Sequence, residues 1–113
     1  MTWSQLQIAM AAMLVMIPST VLAKDAGRLQ AGQKLAQKLC SKCHAVTPDG
    51  KSPMAKAPTF KVIANRYSVW SLQEALAEGI VTGHPGMPEF VLDPVEIDNL
   101  LSYWDTMTVK KTK

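Results

Sequence analysis

The sequence predicts one all-α domain of three to four short helices, and three observations carry that prediction. Apolar residues recur at three-and-four spacing in two segments, Arg28 to Cys40 and Asp93 to about Met107. Helix-starting residues stand before later segments, at Thr59, at Ser71 and at Asp93-Pro94. No β-α-β alternation surrounds the two cysteines, Cys40 and Cys43. A chain of 113 residues suits a single small domain, and no repeat, low-complexity tract or linker divides it.

The N-terminus reads as a leader. Ile8 to Ile17 is apolar throughout, Pro18 breaks the run, and Val21-Leu22-Ala23 offers small residues at the −3 and −1 positions. Cleavage after Ala23 would leave residues 24–113 as the mature domain and send it to the periplasm. The alternative is an uncleaved anchor, but the apolar run is short for a membrane span. Met1 to Gln7 contains no Lys or Arg.

The first helix is expected from Arg28 to Cys40. Leu29, Leu35, Ala36 and Leu39 face inward, and Lys34, Gln37 and Lys38 lie between them. Gly32 costs about 1 kcal/mol there relative to alanine, which makes sense if another helix crosses closely. This helix is expected to present Cys40 and Cys43 on one face, at i and i+3.

Cys40-Ser41-Lys42-Cys43-His44 is the chemical centre of the chain. The C-x-x-C-H pattern is the attachment motif of c-type haem. Its thiols can add across the two vinyl groups of one haem, and the adjoining imidazole can bind the iron. Three other readings compete. They are a thioredoxin-like redox pair, a zinc site with His44 and His84, and a local disulfide. The histidine directly after the second cysteine, and a sulfur ligand downstream, favour haem.

Residues 45–57 form a loop punctuated by Pro48, Gly50 and Pro53, with Pro58 directly after it. Met54 within it is expected to pack on the haem edge. Thr59 should cap a helix running to Arg66, with Phe60 and Ile63 inward. A haem-ligating histidine donates its other ring N–H to a carbonyl or carboxylate, and the Pro58 carbonyl is the candidate for His44. Tyr67 and Trp70 each carry one polar hydrogen that could reach a haem propionate; the alternative is core packing with a wet tip. Ser71 should cap a helix through Glu78, with Glu74 completing a capping box. Leu72, Ala75 and Leu76 form its inner face, Gly79 ends it, and Ile80 to Thr82 is short and extended.

Gly83 to Pro88 is a structured loop. Met87 sits between Gly86 and Pro88, and a thioether on such a loop suits the second axial position of a haem iron. Met54, Met107 and His84 are the rivals. A His-His iron would lie at a lower potential. In the last helix Asp93 is the N-cap and Pro94 the first residue, and Glu96 suits the helix dipole. Ile97, Leu100, Leu101 and Trp104 form its apolar face, Tyr103 flanks it, and it should cross the first helix near Gly32.

Charge is distributed unevenly. Residues 24–66 hold nine basic side chains against Asp25 and Asp49, whereas residues 67–105 hold seven acidic ones and no basic one. A positive surface beside a cofactor edge would steer an acidic redox partner. No basic stripe interleaved with aromatic residues points to nucleic acid.

Several stretches together resemble a small class I cytochrome c, most similar to bacterial periplasmic monohaem members. They are Gly32-x-x-Leu35 before the C-x-x-C-H motif, Ala57-Pro58-x-Phe60, Met87-Pro88-Glu89-Phe90, and Ile97-x-x-Leu100-Leu101-x-Tyr103-Trp104. The resemblance covers nearly all of residues 24–107. It differs in placing Leu35 and Ala36 where many members carry an aromatic residue. It implies helices wrapped around one haem c attached at Cys40 and Cys43, with His44 and Met87 as axial ligands and the Pro58 carbonyl accepting from His44. It implies Gly32 packed against the Tyr103 or Trp104 side.

The function that follows is an electron carrier rather than an enzyme, monomeric, with a membrane-bound oxidase or reductase among its potential partners. The other readings are a five-coordinate haem enzyme or gas sensor, and a dedicated haem subunit of a periplasmic dehydrogenase or oxidase.

Overall fold

A computed structural model describes residues 19–79 and 86–110. The apolar leader run, the extended reading of Ile80 to Thr82, His84 and the last three residues lie outside them. Among the described residues there are four α-helices and no strand: α1 Ser19–Leu39, α2 Phe60–Arg66, α3 Gln73–Glu78 and α4 Pro94–Asp105. A 3₁₀ turn, Val69–Leu72, leads into α3.

Helix α1 starts nine residues earlier than the periodicity suggests. Residues 19–27 are all exposed. They bury no face, so they show no core-facing period even though their backbone is helical. Asp25 and Arg28 pair along the helix, and Arg28 reaches Asp98 of α4 at 3.3 Å. Among the described residues no helix is long and apolar enough to cross a membrane.

The two long helices cross at Gly32. A Cβ built there would lie 1.9 Å from the Asn99 carbonyl oxygen and 2.8 Å from the Tyr103 Cβ. Only a residue without a side chain lets the two backbones approach so closely. Ala36 of α1 and Ile97, Leu100, Leu101 and Trp104 of α4 are buried in the same core, together with Phe60, Ile63 and Val69. Met107, just past α4, is buried as well.

Local hydrogen bonds set the other helix starts. Thr59 Oγ1 accepts from Val62 N–H, capping α2. At α4, Asp93 Oδ1 accepts from Val95 and Glu96 N–H, while Glu96 Oε2 accepts from Asp93 N–H. That reciprocal pair, with Pro94 at the first position, is a complete capping box. Helix α4 ends at Asp105, where Thr106 and Met107 N–H turn back to Tyr103 and Trp104 carbonyls.

The expected cap at Ser71 is not formed. Helical winding begins earlier, at the fully buried Val69, so Ser71 already lies inside the 3₁₀ turn. Its N–H and its hydroxyl both donate to the Ser68 carbonyl. An N-cap needs an extended backbone, which Ser71 has lost. Leu72 stands at the start of α3 with no side-chain cap. Leu76 is the buried residue of α3, and the helix stops at Gly79.

Candidate functional site

The C-x-x-C-H motif lies just past the end of α1 and not on its face. Cys40 N–H still bonds to the Ala36 carbonyl, but Ser41 N–H reaches back to that same oxygen, and the helix opens. The Ser41 hydroxyl also bonds to the Gln37 carbonyl. Beyond this point Cys43 and His44 N–H both donate to the Cys40 carbonyl, at 3.2 and 2.9 Å. One carbonyl therefore gathers both cysteines and the histidine around a single turn. Both thiols are free and half-buried, and Cys40 packs against the hydrophobic core.

Burial pushes the Cys40 thiol up to about 11. A thioredoxin-type pair needs the opposite, a thiol whose pKa is lowered so that the thiolate attacks. Among the described residues no group of three or more His, Cys, Asp or Glu could hold a metal ion.

His44 is oriented by one strong contact. Its Nδ1 lies 2.7 Å from the Pro58 carbonyl oxygen. A carbonyl only accepts, so Nδ1 carries the proton and the lone pair of the neutral ring is on Nε2. An imidazole fixed in this tautomer by a carbonyl is the usual arrangement of a metal-ligating histidine. The donor set, two thiols and a pre-oriented imidazole within five residues, fits covalent haem.

The 45–59 loop is pinned to the motif along its length. Ser52 Oγ accepts from Ala45 N–H at 3.0 Å. Met54 N–H donates to the Cys43 carbonyl, and Phe60 N–H to the Ala45 carbonyl at 2.9 Å. From α4, the Tyr103 hydroxyl donates to the Val46 carbonyl and Trp104 Nε1 to the Phe60 carbonyl. The Phe60 ring is stacked on Trp104 at 3.8 Å and lies 6.1 Å from the His44 ring.

The remaining candidates are more dispersed. Met87 is half-buried and follows Gly86, whose φ of +93° turns the chain sharply before Pro88. Trp70 is half-buried against the core. Tyr67, at 48% exposure, is a surface residue and takes no part in core packing; Met54 is similarly exposed. Sequence reasoning gave no role beyond packing to Tyr103 and Trp104, and none to Ser52. Tyr103 and Trp104 donate to backbone carbonyls more than forty residues away, and Ser52 accepts from the Ala45 N–H seven residues back; no sequence pattern marks such backbone partners.

Residues 27–103 match the family described as cytochrome c oxidase, cbb3-type, subunit III. The chain belongs to the cytochrome c family. This cytochrome is 35% identical over 85 residues to a protein named cytochrome c-552 from Bradyrhizobium diazoefficiens. That alignment covers 75% of this chain and 77% of the relative. No solved structure matches the chain. Family membership makes it an electron-transfer haem protein and implies covalently bound haem c. The all-α architecture agrees with the fold that the resemblance implied.

Proposed function

We propose that this cytochrome is an exported periplasmic carrier of one electron on a single haem c. Cys40 and Cys43 hold the haem as thioethers, and His44 and Met87 are its axial ligands. The observation that carries this reading is the His44–Pro58 hydrogen bond, which occupies Nδ1 and leaves Nε2 as the ring nitrogen for a metal, on the residue directly after two free thiols. When bound, the haem supplies an iron that alternates between ferrous and ferric states.

The chain's own residues keep that change small. The Pro58 carbonyl holds one tautomer of His44 in both states. Met87, between a sharp turn and a proline, offers a thioether from a constrained backbone. Sulfur in place of a second imidazole raises the potential. With both axial positions filled by protein, no position is left for a substrate, which is why the reading is a carrier and not an enzyme. Trp70 and Tyr67 are proposed as donors to the haem propionates, Trp70 from the core margin and Tyr67 from the surface.

Export rests on the leader. Cleavage after Ala23 would shorten α1 to begin at Lys24, and the residues removed from the helix are exposed, so the core is untouched. Lys34, Lys38, Lys42, Lys51, Lys56 and Lys61 are all exposed on the half of the chain that carries the motif. They suit a redox partner with an acidic docking surface.

The family match favours a second reading for the partner alone. The matched family is described as an oxidase subunit. A dedicated haem subunit of a membrane-bound oxidase would keep the same site chemistry. Gel filtration of native extract separates a free monomer from a subunit.

The test of the ligand set is optical. The ferric protein should show the charge-transfer band of iron–methionine bonding, and Met87→Ala should lose it and gain carbon monoxide binding in the ferrous state. A band that persists in Met87→Ala overturns the axial assignment. Ready carbon monoxide binding by the unaltered protein would favour the five-coordinate alternative.

A further inference from the structure

We infer that Tyr103 and Trp104, consecutive residues at the end of α4, are positioning residues for His44: together they hold the two chain segments joined by the His44–Pro58 hydrogen bond. The inference rests on the proposed role of His44 as an axial ligand.

The geometry is a clamp with two prongs. The histidine bond joins residues 44–46 to residues 58–60. Two residues past the donor, the Val46 carbonyl accepts from the Tyr103 hydroxyl at 2.5 Å. Two residues past the acceptor, the Phe60 carbonyl accepts from Trp104 Nε1 at 2.8 Å. Between the prongs, Phe60 N–H donates to the Ala45 carbonyl at 2.9 Å and stitches the segments to each other. The stack of Phe60 on Trp104 fixes the same segment from its side-chain face.

This arrangement matters because the loop's own bonds, from Ala45 N–H to Ser52 Oγ and from Met54 N–H to the Cys43 carbonyl, tie it to the first segment and the residue before it, and not to residues 58–60. The stretch between them contains no helix and two prolines, at positions 48 and 53, and the second segment opens on a third, Pro58. Loops take their position from the scaffold that grips them. Here the scaffold is α4, itself locked on α1 where Gly32 meets Asn99. Two adjacent residues on one helix keep a fixed separation, so they fix the separation of Val46 and Phe60. The length and angle of the Nδ1–H···O bond follow, and hydrogen-bond strength depends steeply on both.

The consequence is chemical. Donation from Nδ1 raises the basicity of the opposite nitrogen. A more basic axial imidazole favours ferric over ferrous iron, so a firm clamp holds the potential down. Releasing either prong lets the bond lengthen and the potential rise.

Tyr103→Phe and Trp104→Phe each delete one donor and keep an aromatic ring. In the reduced holoprotein, NMR follows solvent exchange of the His44 Nδ1 proton alongside the backbone amides of Ala36 and Leu100, and the reduction potential is measured in parallel. We expect the double variant to speed Nδ1–H exchange by about tenfold beyond any change at the two amides, the factor that one hydrogen bond of ordinary strength supplies. We also expect a raised potential, with each single variant giving part of both effects. If all three protons speed up by the same factor and the potential stays put, the pair is merely structural and the inference fails. It fails equally if nothing changes. Should the double variant not hold haem, the two single variants decide by the same criteria. If His44 is not the ligand, the unaltered protein will lack imidazole resonances displaced by the porphyrin ring, and the proposed function fails before any variant is made.

Discussion

Replacing Gly32 by alanine should drive α1 and α4 apart. The new Cβ would sit 1.9 Å from the Asn99 oxygen and 2.6 Å from its carbonyl carbon. Ordinary contact begins near 3.4 Å, so the helices must separate by roughly 1.5 Å at the crossing. Forcing one extra methyl into a packed interface costs about 1–3 kcal/mol, and an obstacle made of helix backbone puts this case at the upper end. Alanine returns about 1 kcal/mol of helix propensity. The net loss is about 2 kcal/mol, which lowers Tm by about 8–16 °C for a domain of this size. Circular dichroism melts of the holoprotein measure it. Gly27→Ala is the control, because its Cβ would meet nothing within 4 Å. It should leave Tm unchanged or raise it. If Gly32→Ala melts alongside the unaltered protein, the close crossing is wrong, and with it the scaffold that positions Tyr103 and Trp104.

Two further outcomes follow from charge and titration. Reversing Lys38 and Lys42 to glutamate should slow electron transfer to an acidic partner by at least about tenfold at low salt, with the difference shrinking as salt rises; equal rates at low salt would remove the docking surface. Burial raises the Tyr103 hydroxyl above its ordinary value of 10.0, so the folded chain holds that proton more tightly than the unfolded one. Its stabilisation is whole below pH 10 and is lost as pH rises from there through the folded value. The Tm advantage over Tyr103→Phe should therefore shrink at high pH, and parallel profiles for the two proteins would contradict the burial.

The parts of the fold that were legible in the sequence depend on short-range chemistry. Thr59 and Asp93 could be read as caps because a cap and its partners lie within three residues of each other. The apolar face of α4 was legible because one helix displays it as a period. Ser71 has the same signature as Asp93, yet the chain was already wound when it reached Ser71. The burial of Val69 moved the start, and burial is a tertiary fact. The early start of α1 was hidden for the converse reason: a helix segment with no buried side leaves no period to find. The turn at Cys40 to His44 was misread because the i, i+3 spacing suits both a helix face and a tight turn. The bond from Ser41 N–H to the Ala36 carbonyl, which decides between them, is set by how α1 ends.

Taken alone, the residues narrowed the chemistry: two thiols and an imidazole directly after them admit few cofactors, because bonding rules belong to the side chains themselves. Only the packed structure decided what holds the imidazole's acceptor in place. That acceptor is the backbone oxygen of Pro58, and that oxygen's position depends on Phe60, Trp104 and the crossing at Gly32. The sequence already points to the Pro58 carbonyl as the acceptor for His44, but the groups that hold that oxygen in place bond to backbone atoms more than forty residues away, and only the folding of the chain brings them together.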